Sequence, residues 1–145
     1  MALSKPLGND DDSGFDFVKE ILDGDPTCAI NFDRLQKHPT IGYIIFEYLL
    51  CEEAQSVNPH TSHPNRYWHK NAQKFISLFR VSQDLPGKLV LVNYAKKSTK
   101  HENKVKVIEV LAINNSTGIT DSKETDMDRD TFKKWFRKLN KESCS

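Results

Sequence analysis

The chain has 145 residues, of which 37% are hydrophobic and 28% are charged, and this balance fits one domain with a single core. Lysine and arginine number 21 against 20 aspartate and glutamate residues, so the formal charge of +1 excludes a global basic field for attracting nucleic acid. The sequence has no signal-peptide pattern and no apolar run of about 18 residues, which predicts a protein that is neither exported nor membrane-spanning. Its three cysteines have no metal-type spacing, which is typical of free thiols in the cytoplasm.

The first third of the chain predicts a leader, a helix and a strand. Residues 1–13 contain three consecutive aspartates and are expected to form a flexible acidic leader before one α/β domain over residues 14–145. Apolar residues at helical spacing predict a helix from Phe15 to Leu22, which the following Gly-Asp-Pro ends. A strand is expected from Thr27 to Leu35.

Residues 40–50 fit two structures. Their density of β-branched and aromatic residues favours a strand, whereas the spacing of the apolar residues also suits a buried helix that continues to Gln55. The strand is the preferred interpretation.

The middle of the chain predicts a loop, a long helix and two strands. Two prolines and many turn formers indicate a loop over residues 56–65, and the helix is expected from about Arg66 to Asp84 with Asn65 as its cap. Two β-rich runs, Lys88 to Ala95 and Val105 to Ile113, predict a pair of strands joined by a mobile, lysine-rich turn.

The C-terminal part predicts an acidic loop and a final helix. Residues 117–130 are interpreted as a loop, and Thr131 to about Asn140 as a helix with one aromatic face. The fold class is therefore α/β in the wide sense that includes α+β, with a central mixed sheet of about four strands flanked by helices.

A pair of carboxylates is the strongest functional signal. Asp33 and Glu47 lie in or beside two predicted neighbouring strands, and an apolar environment makes an unpaired carboxylate costly. A hard divalent cation such as Mg²⁺ or Mn²⁺ prefers oxygen ligands and keeps several waters, so two carboxylates and a phosphate oxygen are enough to bind it. The pair predicts a metal site, although a surface salt bridge of Asp33 and a solvent-facing Glu47 are the simpler alternatives.

The chain resembles the PD-(D/E)XK nuclease-like superfamily over roughly residues 14–113. The resemblance rests on Asp33, on the apolar strand that ends in Ile-Ile-Phe-Glu47, and on the helix and strand that follow. That superfamily places a helix before a sheet, an acid near one strand and another on the next. The resemblance implies a restriction-endonuclease-like fold and metal-dependent hydrolysis of phosphodiester bonds, with DNA favoured over RNA as the substrate.

The family motif has a lysine two residues after the second acid, where this chain has Leu49. Some members supply the lysine from a neighbouring helix, so Lys70 or Lys74 on the long helix is the corresponding candidate. Glu20 on the first helix resembles an additional acid that some members contribute to the metal. The nearby ammonium would hold the attacking water and offset charge in the transition state.

Several other residues are candidates for phosphate contacts. The loop before the long helix offers free backbone N–H groups, and the lysine-rich turn and the last helix offer cations. The candidates before the helix and in the turn are Asn65, Arg66, Lys96, Lys97, Lys100 and Lys104. Ordinary solubility is the alternative explanation for each basic stretch.

Leu49 also favours a different class of function, a noncatalytic interaction or regulatory module, of the defence or phage-related kind, that uses the same fold to bind a protein or ligand partner. A homodimer is compatible with either function. A zinc site of Cys51, His60, His63 and His69 is a weaker alternative, because their spacing matches no strong zinc signature.

Overall fold

The computed structural model describes Leu7 and residues 13–144, so most of the leader expected over residues 1–13 lies outside the described residues. The helices are α1 (Ser13–Leu22), α2 (Trp68–Asp84) and α3 (Arg129–Ser143), and a 3₁₀ turn over Pro64–Tyr67 leads directly into α2. The strands are β1 (Arg34–His38), β2 (Gly42–Leu50), β3 (Gly87–Tyr94), β4 (Lys104–Asn114) and β5 (Gly118–Asp128).

The five strands form one mixed sheet in which spatial order follows chain order. Strands β2 and β3 are parallel, and every other neighbouring pair is antiparallel. Parallel neighbours require a long crossover, and α2 supplies it between β2 and β3. The β1–β2 turn ends at Gly42, whose φ of +94° and close approach to the Pro86 carbonyl leave no room for a Cβ.

Strand alternation divides the core between the two faces of the sheet. Ile45, Leu89 and Ile108 face α2, whereas Phe46 and Val90 face α3. The aromatic face of α3 covers the second side, where the ring of Phe136 lies 5.3 Å from that of Phe46 in an edge-to-face arrangement. The molecule therefore has three layers, with the sheet between α2 and α3.

Most predicted elements are confirmed. The preferred strand at residues 40–50, the long helix, the two strands after it and the C-terminal helix are all present, and the alternative helix over residues 40–55 is wrong. The α/β class in its wide sense is also confirmed. The lysine-rich turn between β3 and β4 consists of successive hydrogen-bonded turns, and the Arg129 side chain donates to the backbone carbonyls of Ala95 and Glu102 across it.

Two predicted elements are wrong. The strand expected over residues 27–35 begins only at Arg34, because residues 25–33 run past the sheet without a ladder partner. The loop expected over residues 117–130 is mostly β5, which raises the strand count from four to five. Strand β5 is an edge strand whose residues are mostly exposed, and charged residues are common on such edges. Because most of its positions are polar, the sequence lacks the alternation of apolar and polar residues by which a strand is recognised.

Helix α1 is present as predicted, but none of its residues is buried and it has no extensive packing against another described element. Phe15, Phe17 and Ile21 are each more than 60% exposed. Within residues 13–144, no helix has both the length and the apolar character needed to cross a membrane.

Candidate functional site

The β1–β2 hairpin brings the two predicted acids together. Arg34 pairs with Phe46 in the antiparallel register, so Asp33, one residue before β1, comes opposite Glu47. The Asp33 carboxylate accepts a hydrogen bond from the backbone N–H of Tyr48 through Oδ2 at 2.8 Å. Asp33 is exposed, and its Oδ1 has no hydrogen-bond partner among residues 13–144.

Glu47 lies on the face of β2 that is covered by α2, with a relative exposure of only 2%. The Lys74 ammonium, from the second turn of α2, forms an ion pair with its Oε1. Its Oε2 is buried and has no hydrogen-bond partner in the described part of the chain. Burial raises the pKa of the Glu47 carboxyl, the hydrogen bond and charge of Lys74 lower it in part, the charge of Asp33 raises it, and the nearby Asp33 backbone N–H lowers it slightly.

Lys74 is therefore the lysine that reaches the second acid. Leu49, in the motif position, points to the same side of the sheet two residues later and packs partly buried against the core. A lysine on the facing helix thus supplies a cation beside Glu47, as the resemblance implied for Lys70 or Lys74.

A groove opens beside this ion pair. The extended segment of residues 27–31 forms one wall, and Gln73, Lys74 and Ser77 of α2 form the other, enclosing about 570 Å³. Of these three residues of α2, only Lys74 was a candidate from the sequence, and Gln73 and Ser77 had no predicted role. The spacing of Gln73 and Ser77 from Lys74 along the helix is the sequence feature that could have indicated a shared surface. The position of residues 27–31 beside them could not be predicted, because that segment was expected to be a strand.

A second cleft of about 380 Å³ lies at the carboxyl end of β2. Leu49 of β2 and Cys51, the residue that follows β2, line one side of this cleft. Arg66 and Lys70 line the other side. Lys70 therefore lies in this cleft and forms no ion pair with Glu47, so the structure separates the two lysines that the sequence could not distinguish. The crevice outside the carboxyl ends of parallel strands is a common place for ligands.

The Cys51 thiol is buried in the wall of this cleft. Burial raises the pKa of its thiol, and the hydrogen bond with Ser62 and the charge of Arg66 oppose that effect only in part. A thiol with a raised pKa remains protonated at neutral pH, and the thiolate is the reactive form.

Glu20 does not join the site. It is an exposed residue of α1, a helix that does not pack on the sheet, and no group of three His, Cys, Asp or Glu side chains suited to a metal occurs among the described residues. The structure therefore gives no support to Glu20 as a third acid, because the helix that carries it makes no extensive contact with β1 or β2.

Asn65 is occupied within the fold. Its side chain donates to the Ile119 carbonyl at 2.9 Å and accepts from the Ile119 N–H at 2.8 Å, so it pairs with the start of β5 as a strand would. The residue that caps the 3₁₀ turn is His63, which accepts from the Asn65 N–H. Asn65 is thus not the expected cap, and its side chain is held against β5, whereas the neighbouring Arg66 has no such partner among the described residues and is exposed.

The candidate lysines of the turn lie elsewhere. Lys96, Lys97 and Lys100 are exposed between β3 and β4, and Lys104 begins β4. None of the four lines either cleft beside α2.

The zinc alternative gains no support within residues 13–144, where no group of three His, Cys, Asp or Glu side chains suited to a metal occurs and where His60 and His63 have other partners. His60 Nε2 contacts the Met127 carbonyl at 3.1 Å, and His63 Nε2 contacts Glu124 at 3.2 Å. Cys51 is instead buried beside Ser62.

The donor set of Asp33 and Glu47 fits a small hard cation. Two carboxylate oxygens, Oδ1 of Asp33 and Oε2 of Glu47, have no hydrogen-bond partner among the described residues. A buried carboxylate oxygen without a donor is costly, and a cation would offset that cost. Two carboxylates are a usual protein contribution to a Mg²⁺ site.

Comparisons with protein-family models, with curated proteins and with solved structures found no match to this chain. The likeness to the nuclease-like superfamily therefore depends on the residues of this chain alone.

Proposed function

We propose that this protein is a Mg²⁺-dependent or Mn²⁺-dependent nuclease of the PD-(D/E)XK type, which hydrolyses phosphodiester bonds in nucleic acid. The observation that carries the proposal is the unpartnered, buried Oε2 of Glu47, next to Asp33 and in ion contact with Lys74. A purely structural ion pair would be expected to satisfy both carboxylate oxygens, because an unsatisfied buried acceptor costs about 1–3 kcal/mol.

Each of the three residues has a distinct role in the proposal. Asp33 and Glu47 hold the cation, which when bound polarises a phosphate and lowers the pKa of water. The Tyr48 N–H fixes the Asp33 carboxylate, and the ion contact with Lys74 fixes Glu47. The Lys74 ammonium, 45% exposed, orients the attacking water and offsets charge that develops on the phosphate.

The reaction itself is simple hydrolysis. The water oxygen forms a bond to phosphorus, the bond from phosphorus to the leaving nucleotide oxygen breaks, and the proton lost by the water is balanced by protonation of the leaving oxygen. Because the groove beside Lys74 is open, an extended substrate can reach this position.

Cleavage of labelled DNA and RNA, measured with Mg²⁺, with Mn²⁺ and in EDTA, tests the proposal. We expect cleavage only with the metal, and a loss of about a hundredfold or more in Asp33→Asn, Glu47→Gln and Lys74→Met. DNA is the expected better substrate. Asp84→Asn and Asp121→Asn are the matched controls, since both acids are exposed and far from Asp33 and Glu47 along the chain.

Unchanged cleavage in the Asp33→Asn and Glu47→Gln variants, each with an intact fold by circular dichroism, would reject the proposal. Equal losses in the two control variants would show that general destabilisation, and not the metal site, is responsible.

A second candidate is a noncatalytic binding module of the same fold. The observation that favours it is Leu49, an apolar residue packed on the core where the motif has its lysine. Under this alternative, the wild-type protein has no metal-dependent cleavage, binding of the partner is insensitive to Mg²⁺, and charge reversal at Lys96, Lys97 and Lys100 weakens that binding. Retention of full binding by that variant would exclude the turn as the partner surface.

A further inference from the structure

Three cations lie in a row beside the proposed nuclease site. Arg66, Lys70 and Lys74 follow one another at four-residue spacing through the 3₁₀ turn and the first half of α2. In a helix, residues four apart lie on one face with a rise of about 6 Å between them. Lys70 and Lys74, both in α2, therefore have a spacing that successive phosphates of an extended strand can follow, and Arg66, in the 3₁₀ turn, lines the same cleft as Lys70.

The row runs along one column of side chains on β2. Lys74 contacts Glu47, Lys70 shares the second cleft with Leu49, and the charge of Arg66 acts on the thiol of Cys51. The step of four residues from Lys74 to Lys70 along α2 thus matches the step of two residues from Glu47 to Leu49 along β2. Lys70, which lines the cleft, lies one helical turn from Lys74 on α2, so the cleft lies next to the Glu47 and Lys74 pair along the helix.

The three cations differ in whether they form an ion pair with an acidic residue. Lys74 is neutralised by Glu47, whereas Arg66 and Lys70 have no acidic partner within residues 13–144. Both are exposed at the rim of a recess of about 380 Å³, and the floor of that recess is formed in part by Leu49 and Cys51. Two unpaired cations above a partly apolar floor suit an anion that also carries apolar surface, as a nucleotide does.

We propose that this cleft binds the phosphates of single-stranded nucleic acid next to the phosphate that is cleaved, with Arg66 and Lys70 contacting two successive phosphates. This inference rests on the proposed function, since it names the substrate class of the same site. A single strand fits this cleft because the cations form one line along a recess. A duplex presents the phosphates of two strands on a convex surface and matches a recess less well. Electrostatic contacts of this kind also explain how a chain of net charge +1 could bind a polyanion locally.

Binding in EDTA tests the inference without any cleavage. The probes are fluorescent 12-nucleotide single strands of DNA and RNA and the matching DNA duplex, titrated by anisotropy at several salt concentrations. In Arg66→Gln/Lys70→Gln we expect single-strand affinity at 50 mM salt to fall about tenfold or more, and the slope of log K against log salt to shrink by about 1.4, as for two lost phosphate contacts.

Lys133→Gln/Arg137→Gln is the matched control, because it removes the same charges from the exposed face of α3 on the other side of the sheet. Its single-strand affinity and slope should stay close to those of the wild type. Tighter binding of the duplex than of the single strand, unchanged binding in the cleft variant, or equal losses in both variants would overturn the inference.

The two proposals fail differently. If the wild-type protein never cleaves but loses single-strand binding in the cleft variant alone, the cleft is a single-strand site and the nuclease function is rejected. If the wild-type protein cleaves with Mg²⁺ and the cleft variant cleaves single strands with the same kcat/KM, the nuclease function stands and the cleft inference is rejected.

Discussion

The single residue with the greatest consequence is Glu47. Its carboxyl is buried on the α2 side of the sheet, and only one of its two oxygens is paired, through Lys74. The chain thus accepts a desolvated carboxylate where an apolar residue would pack as well as Ile45 does two positions earlier. Destabilising groups of this kind are expected at functional sites. For this reason the proposed function is based mainly on Glu47 and less on Asp33.

The raised pKa of Glu47 makes stability depend on pH. A carboxyl whose pKa in the folded protein lies above its ordinary value of 4.5 binds its proton more tightly in the folded state than in the unfolded state. The stabilisation of the folded state by this proton is therefore complete at pH values below 4.5 and is lost as pH rises through the folded pKa. We expect the free energy of unfolding of the wild type, minus that of Glu47→Gln, to decrease over this interval. Urea unfolding in EDTA from pH 4 to pH 8 measures the difference.

Glu52→Gln, which changes an exposed glutamate, is the control for this experiment. A wild-type minus Glu47→Gln difference that stays constant with pH, or rises with it, would contradict the assigned burial of Glu47.

At the scale of elements, β5 depends on contacts that lie far away in sequence. Its first residues are paired by the Asn65 side chain, and Gly118 has a φ of +117° with no room for a Cβ, which would lie 2.2 Å from Asn65 Oδ1. Along most of its length β5 pairs with β4, with a register shift near Ala112. The strand is thus specified by its neighbour and by one asparagine from the loop before α2.

Asn65→Ala should destabilise the protein by about 2 kcal/mol, because it removes two hydrogen bonds and leaves the Ile119 N–H and carbonyl without their partner. Chemical denaturation measures the loss, and hydrogen exchange should become faster at Ile119 than at β3. Asn103→Ala, in the exposed turn before β4, is the matched control and should change stability by less than about 0.5 kcal/mol. Equal stability of the two variants would show that the Asn65 contacts contribute nothing.

At the scale of the whole molecule, the sheet separates two surfaces. The Asp33, Glu47 and Lys74 site and both clefts lie on the α2 side, whereas the basic outer face of α3 lies on the other. The cations of α3 are therefore not positioned to guide a substrate into the groove beside Lys74. Helix α1 stands outside both cores, with its apolar residues exposed.

The position of α1 predicts that it contributes little to stability. Phe17→Ser/Ile21→Ser should change the free energy of unfolding by less than about 0.5 kcal/mol, as expected for exposed positions. Leu78→Ala, at a fully buried position of α2, should cost about 2–5 kcal/mol. A large loss in the α1 variant would mean that this helix packs on the domain in solution.

Local pattern was sufficient to predict most of the elements. The periodicity of α2 and α3 and the apolar runs of β2, β3 and β4 are strong because these elements are half or fully buried, so each position has to suit one environment. The pairing of Asp33 with Glu47 was also anticipated, since neighbouring strands joined by a short turn have few possible registers.

The sequence by itself determined the class of the fold, the two acids and the presence of a lysine on the facing helix. Only the tertiary structure decided that Lys74 contacts Glu47 while Lys70 lies in the adjacent cleft, because both lysines are on the same helix face and differ only in their position along β2. It also decided that Asn65 pairs with β5, that the helix carrying Glu20 makes no extensive contact with the sheet and that residues 118–128 form a strand, since each depends on partners far along the chain. Local sequence predicts what a segment prefers, and packing decides which distant segment it meets.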